Sequence, residues 1–301
     1  MTQGRMHDDQ LPVDAALVRR LVAEQFPAWA RLPVTPLATG TVNAMFRLGD
    51  EMVVRLPVVE RAADDIVFER RWLPVLGAEL AVPIPRVLAA GDPSPDYPCP
   101  WLVLTWLPGI TPTPGAVEAA GTSALVADIA DLLTSLRRID TTGAPPGYRS
   151  GSFHGLDPAV RTSLDAVSDL VDTPLLLRLW DDALDAPAWS GPPVWTHGDL
   201  LSGNLLVNAP DSGRGGLFGV LDFACAGVGD PACDLLAAWS ILPTDARAEL
   251  RAGLGVDDHT WRRGRGWAIA QASIALAYYR DTFPHMAVTS LHMLREVAES
   301  V

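Results

Sequence analysis

The sequence predicts an α+β protein in two parts: a five-stranded antiparallel sheet carrying one helix, then a mainly helical region. Three observations predict it. Short β-prone runs separated by turn residues cluster ahead of residue 107. Beyond that point, apolar residues recur with helical spacing instead. Two polar, aspartate-bearing turns flanked by strand-like runs interrupt the helices between Val194 and Leu236.

Pro12–Phe26 is predicted helical, with Pro12 suited to the first position, Asp14 in the first turn, and Val18, Leu21 and Val22 on one face. Val34–Thr39, Ala44–Leu48 and Met52–Leu56 read as strands. Gly40-Thr41-Val42-Asn43 turns the first into the second, and Gly49-Asp50 is a hairpin turn. Asp64–Leu76 follows as a helix, with Ile66, Phe68, Leu73 and Leu76 as its apolar residues. Val87–Ala90 and Trp101–Trp106 complete the sheet. Pro108-Gly109 and the Pro-rich Thr111–Gly115 mark a hinge near 105–109, dividing the chain into 1–107 and 108–301.

In the second part, Val117–Arg138 is helical, with Leu125, Ile129, Leu132, Leu133 and Leu136 in phase. Thr141–Phe153 is a Gly/Pro-rich loop. Pro158–Leu170 and Pro174–Asp185 are helices that start on proline. Later helices are predicted at Pro231–Ile241, Asp245–Leu254, His259–Tyr279 and Thr289–Ala298.

Composition narrows the function classes. The 301 residues are 49% hydrophobic, enough for a sizeable core. No apolar run reaches the ~20 residues of a membrane helix, and the polar start is unlike a secretory signal, so the cytoplasm is expected. Cys99, Cys225 and Cys233 form no C-x-x-C, and are expected as buried free thiols rather than a disulfide framework or zinc site. Net charge is −13 and all 23 basic residues are arginine. Such a balance disfavours nucleic acid and anionic membranes and suits a polycationic small molecule; a solvated acidic surface would give the same balance.

The chemistry concentrates in two segments. Trp195–Val207 reads W-T-H-G-D-L-L-S-G-N-L-L-V, with Val194–Thr196 and Leu205–Val207 as the flanking strands. Gly198 and Gly203 permit a chain reversal, and Asp199 and Asn204 are spaced so that a folded loop aims both at one point. Phosphoryl transfer asks mainly for positioning, charge neutralisation and a proton acceptor. Asp199 suits the acceptor role and Asn204 offers a hard oxygen for Mg²⁺. His197 is expected to order the loop. An Asx-rich turn joining two strands would look the same. The second segment begins with the strand candidate Leu217–Leu221, which runs into Asp222-Phe223, so Asp222 stands at a strand end and can bridge Mg²⁺ to nucleotide phosphates. Gly227-Val228-Gly229-Asp230-Pro231 reads as a loop opening a helix, with Asp230 as N-cap and Asp234 in the first turn, both structural.

Together, H-G-D-L-x-x-x-N and L-D-F-x-x-x-x-x-G-D-P-x-x-D-L resemble the aminoglycoside phosphotransferase family, antibiotic kinases that include macrolide phosphotransferases. The resemblance runs from about Leu37 to Trp239. It implies a bilobal protein-kinase-like fold, a nucleotide-binding lobe at 1–107 and a catalytic lobe at 108–301, with ATP or GTP as co-substrate and Mg²⁺ as cofactor. It implies Asp199 as catalytic base and Asn204 and Asp222 as metal ligands. It also implies that Gly40, Thr41 and Asn43 cover the phosphates, a turn that on its own reads first as a plain hairpin. Arg55, in V-V-R-L-P, takes the strand position where kinases usually carry lysine, and Glu69 sits where the family's pairing glutamate does. Macrolide phosphotransferases carry a similar arginine strand. Leu102–Leu107 matches the purine-reading hinge, with the Thr105 carbonyl and Leu107 amide as base contacts.

The expected acceptor is a hydroxyl on a small molecule, since no A-P-E-like anchor for a protein substrate follows Asp222. Its candidate lining groups include Asp157, Asp181, Asp185, Trp267 and Asp281, joined by Asp182, Trp261, Tyr278 and Tyr279. A metabolite or amino-alcohol kinase, or a nucleotide-binding protein with little transfer activity, are the alternatives.

Overall fold

A computed structural model of the chain describes residues 9–37, 40, 42–113, 117 and 121–300. The chain divides into two compact units, Met1–Ala78 with Pro83–Pro108, and Glu79–Val82 with Gly109–Val301.

The first unit is built on strands β1 (Val34–Pro36), β2 (Asn43–Leu48), β3 (Met52–Pro57), β4 (Val87–Gly91) and β5 (Trp101–Thr105). They form one antiparallel sheet in the order β1-β2-β3-β5-β4. Helix α1 (Ala15–Gln25) packs Leu17, Val18, Leu21 and Val22 into a core with Phe46, Leu48, Val54, Leu56, Trp101 and Val103. Each such fully buried aliphatic side chain stabilises by roughly 1.5–3 kcal/mol. Helix α2 (Ala63–Glu79) buries Ile66, Glu69, Trp72, Leu73 and Leu76.

Several boundaries differ from the sequence reading, among them α2, which runs on to Glu79 rather than ending at Leu76. Helix α1 begins at Ala15, not Pro12: Asp14 is its N-cap, accepting from Leu17 N–H at 2.7 Å. Leu11 instead donates its N–H to the Val58 carbonyl, which holds the preceding chain against the sheet. Strand β1 ends at Pro36, three residues short of the expected Thr39, although Leu37 N–H still donates to the Met45 carbonyl at 2.9 Å. Ala38, Thr39 and Thr41 lie outside the described residues.

The second unit contains α3 (Thr122–Leu136), α4 (Asp157–Ala166), α5 (Thr173–Leu184), α6 (Ala237–Ser240), α7 (Thr244–Leu254), α8 (Asp258–Tyr279) and α9 (Pro284–Ala298). Helix α8 is central, flanked by α4, α5 and α9. Trp180, Trp195, Phe223 and Trp239 are fully buried in this unit. Four short strands carry the polar turns: β6 (Val194–Thr196), β7 (Leu205–Val207), β8 (Leu217–Val220) and β9 (Gly227–Gly229). β6 pairs with β9 and β7 with β8, both antiparallel.

Several expectations are corrected here. Gly227–Gly229 is a strand rather than loop, because Thr196 and Val194 supply a partner edge from far along the chain. Pro231–Ile241 is a 3-10 turn over Pro231–Leu236 followed by the short α6, and the tighter winding accompanies an inward-facing Asp234. α9 starts at Pro284, five residues before the predicted Thr289, with proline at its first position. The Val117–Arg138 prediction is met by α3 from Thr122, after Gly121 at φ +81°; residues 118–120 lie outside the described residues. All three cysteines are free, and Cys225 is half-buried rather than buried. Among the described residues no helix is long and apolar enough to cross a membrane.

Candidate active site

The loop between β6 and β7 is held by bonds from distant parts of the second unit. Asp234, fully buried, accepts from His197 N–H at 2.9 Å and Gly198 N–H at 2.7 Å. Burial pushes its carboxyl up from the ordinary aspartate value, against the pull of His197, the two amides and Arg137. The residue read as a helix-dipole partner is therefore the anchor of the loop. The His197 ring accepts from Asp199 N–H at 3.2 Å and donates from Nε2 to the Leu221 carbonyl at 2.9 Å, which fixes its tautomer. Its ring also meets the Phe223 ring edge-on at 4.6 Å. Gly198 sits at φ +76°, and a Cβ there would lie 2.7 Å from the Cys225 carbonyl oxygen. Only glycine fits both demands.

These bonds bring Asp199, Asn204 and the approach to Asp222 into one network. Asn204 donates its Nδ2 to both the Asp199 carbonyl and Asp199 Oδ2, each at 2.8 Å. The amide nitrogen thus faces Asp199, which turns Oδ1 away from it. Leu221, next to Asp222, donates its N–H to the Asn204 carbonyl at 2.8 Å. Asp222 itself has φ +59°, the one non-glycine at positive φ in the described chain. That conformation costs roughly 1–2 kcal/mol for a side-chain-bearing residue, and such strain concentrates at functional sites. The strand-end position and the left-handed turn together set the direction of the carboxylate.

Asn204 and Asp222 offer two hard oxygens, and no cluster of three His, Cys, Asp or Glu suited to a metal occurs among the described residues. That donor set fits Mg²⁺, which is commonly bound through one or two carboxylates with phosphates and water filling the remaining positions. Cys225 lies beside this network, and burial, followed by the charge of Asp199, pushes its thiol up to about 12.

The sequence did not single out two side chains. Arg149, from the loop read as Gly/Pro-rich connection, is 8% exposed and lies 3.2 Å from Asp199 Oδ1 through Nη1. It also donates to the Gly198 carbonyl and to Gln271 of α8. One arginine in a loop gives no periodicity or motif to find it by.

In the first unit, Arg55 on β3 and Glu69 on α2 form a buried ion pair, Nε to Oε2 at 3.2 Å. Asn43 opens β2 and is buried, with Oδ1 lacking a protein partner. Gly40 donates its N–H to the Asn43 carbonyl at 3.0 Å, and Thr41 lies outside the described residues. Thr105 ends β5, its hydroxyl accepting from Arg86 N–H at 2.9 Å, and Leu107 is half-buried two residues on.

The acceptor candidates are spread rather than gathered. Arg161 ties Asp157 and Asp181 together, and Asp157 also accepts from Trp180 Nε1 at 2.8 Å. Arg262 and Arg265 hold Asp182. Trp267 is core, edge-on to Phe153 at 5.5 Å. Trp261 packs on Trp239 at 5.0 Å and Tyr279 on Phe283 at 5.9 Å. Asp185, Tyr278 and Asp281 are exposed.

The sequence profile of the phosphotransferase enzyme family matches residues 33–267, most of the chain. The chain belongs to that family. This phosphotransferase also resembles solved structures of the kinase-like fold. Against the GDP complex of wild-type aminoglycoside 2'-phosphotransferase-IIIa the TM-score is 0.74 at 21% identity, covering 95% of this chain and 99% of the other. Against the GDP and kanamycin complex of APH(2")-IIia it is 0.72 at 21% identity, covering 93% and 97%. Against macrolide 2'-phosphotransferase type I it is 0.63 at 18% identity, covering 93% and 97%. No curated protein matches the phosphotransferase significantly by sequence.

Proposed function

We propose that this phosphotransferase transfers the γ-phosphate of ATP or GTP to a hydroxyl of an antibiotic, an aminoglycoside or a macrolide. The observation that carries the reading is the hydrogen-bonded network joining Asp199, Asn204 and Leu221-Asp222. In this reading Asp199 orients the acceptor hydroxyl and takes its proton as the oxygen attacks the γ-phosphorus in line with the leaving nucleoside diphosphate. Asn204 Oδ1 and the Asp222 carboxylate would hold Mg²⁺, which when bound neutralises charge on the phosphates. Residues 1–107 serve as nucleotide lobe and 108–301 as catalytic lobe. In the same reading Gly40, Thr41, Asn43 and the Arg55–Glu69 pair would serve the phosphates, and the Thr105 carbonyl and Leu107 amide would read the base. Arg55 brings a planar two-pronged donor where a lysine would bring a point charge.

Two of the relatives were solved with GDP, and one of those also with kanamycin. These support a nucleotide co-substrate and an antibiotic acceptor for this phosphotransferase as well. A cytoplasmic setting, where nucleoside triphosphates are abundant, belongs to the same reading. Arginine neutralisation of Asp157, Asp181 and Asp182 removes part of the argument for a polycationic acceptor and keeps macrolides in contention.

The test is a panel. The full chain is incubated with Mg²⁺ and ATP or GTP against kanamycin, gentamicin, erythromycin and choline, and acceptor-dependent diphosphate release is measured. Turnover with an antibiotic supports the reading. Turnover with choline alone makes the protein an amino-alcohol kinase, and nucleotide binding without turnover on any acceptor makes it a binding protein.

A further inference from the structure

We propose that Arg149 is a positioning residue for the transfer reaction, clamping the Asp199 carboxylate and the Gly198 carbonyl to Gln271 of α8. The inference rests on the reading of Asp199 as the base. Its observations are separate ones.

The loop that carries Arg149 is fixed on the strand that follows Asp222. Val228 N–H donates to the Pro145 carbonyl at 2.9 Å, Gly147 N–H to the Val228 carbonyl at 3.1 Å, and Tyr148 N–H to the Cys225 carbonyl at 3.1 Å. Gly227 approaches the loop so closely that a Cβ there would lie 2.4 Å from Gly147 N. Arg149 therefore reaches Asp199 from a backbone registered against β9. Its guanidinium hydrogen-bonds to the Gly198 carbonyl and to Gln271 Oε1, and Nη1 stands in ion-pair contact with Asp199 Oδ1 at 3.2 Å. A planar fork can span these, and an ammonium cannot.

The consequence for Asp199 is geometric. Oδ2 accepts from Asn204 while Oδ1 lies in the field of the Arg149 cation, so one hydrogen bond and one ion pair, from two directions, orient the carboxylate. A buried guanidinium is tolerated only when paired. Burial is the largest single influence and would lower the Arg149 pKa, but the acidic groups around it, Asp199 first, together more than reverse that, so the cation is retained. Gln271 carries the clamp to α8. On the same helix face, Ile274 and Tyr278 follow at i+3 and i+7, half-buried and exposed. The base and that face are thus set relative to one another by a single side chain.

The test uses the full chain carrying Arg149→Ala, Arg149→Lys or Gln271→Leu, with Mg²⁺, ATP or GTP, and the panel acceptor that wild type turns over fastest. Misplacing a catalytic group by about 1 Å costs about 100-fold. The expected result for Arg149→Ala is a fall in kcat of that order, with KM for the nucleotide unchanged. Low-millimolar guanidinium is expected to restore part of the rate. Arg149→Lys falls between, and Gln271→Leu loses less because the ion pair survives. Unchanged kcat, a loss carried by KM, or a loss that guanidinium does not relieve overturns the proposal. Should Arg149→Ala fail to fold, Gln271→Leu decides, through its smaller fall in kcat at constant KM; an unchanged kcat there overturns the proposal. Should wild type turn over no acceptor, the functional reading fails first. Hydrogen exchange then judges the clamp alone: faster exchange over residues 198–204 in Arg149→Ala, slowed by guanidinium, supports it, and unchanged exchange overturns it.

Discussion

Each compact unit buries an arginine against a carboxylate at the same separation, and the two pairs are supported differently. Arg55 and Glu69 stand 3.2 Å apart with side chains 5% and 2% exposed. Arg149 and Asp199 also stand 3.2 Å apart, but Asp199 keeps 21% of its side chain open. The first pair joins a strand to a helix, two regular elements whose backbone groups are satisfied within themselves. The second joins two loops, whose backbone must find partners elsewhere and finds them in Asp234, Cys225 and Val228. A sealed pair on regular elements holds its geometry through packing. A pair carried on loops holds it through long-range hydrogen bonds.

The largest test of that contrast is Asp199→Ala. Transfer is expected to fall about 10³-fold, while Mg²⁺–nucleotide affinity measured by titration calorimetry stays near wild type. Loss of nucleotide binding would make Asp199 a metal or folding residue and remove the distinction between the pairs.

Glu69→Ala and Asp234→Ala sharpen the contrast further. Glu69→Ala strands a buried guanidinium and is expected to cost about 3–5 kcal/mol in denaturant unfolding. Asp234→Ala leaves two loop amides unsatisfied but also removes a buried carboxylate, a net cost of about 2 kcal/mol. Its larger effect should be on kcat, because it frees the loop that carries Asp199. If Asp234→Ala destabilises more than Glu69→Ala, the division between packing-held and bond-held sites is wrong.

Gly198→Ala should cost roughly 2 kcal/mol, from the left-handed backbone and the contact with the Cys225 carbonyl, with a loss of turnover beyond what thermal unfolding accounts for. The smallest effect is expected at the N-cap of α8. There Asp257 accepts from Thr260 N–H at 2.6 Å, and that bond holds its carboxyl below the usual value. Asp257→Ala should cost about 1 kcal/mol at neutral pH. Because the folded pKa is lowered, the contribution is full above the unfolded value and fades as pH falls through the folded one. The gap in Tm between wild type and variant should therefore shrink below about pH 4.

Which parts were legible follows from range. The sheet strands, α1, α2 and the Asp230 cap with Pro231 carry their reasons within a few residues, as alternation, apolar phase and capping chemistry. The 3-10 winding at Pro231–Leu236 was hidden because Asp234 serves a partner 36 residues away rather than its own helix. β9 was read as loop because three residues of Gly-Val-Gly declare a strand only when β6 lies beside them. Arg149 and Gln271, 122 residues apart, leave no local mark.

By itself the sequence determined the α+β class, the order of its elements and the two polar turns with Asp199, Asn204 and Asp222, because periodicity and turn chemistry are short-range properties of the chain. Tertiary structure decided what those turns face: that Asp234 ties down the loop, that Asp222 takes a left-handed backbone, and that Arg149 lies against Asp199. A loop has no internal ladder to satisfy its polar groups, so its shape is set by whichever distant donors and acceptors the folded core brings to it.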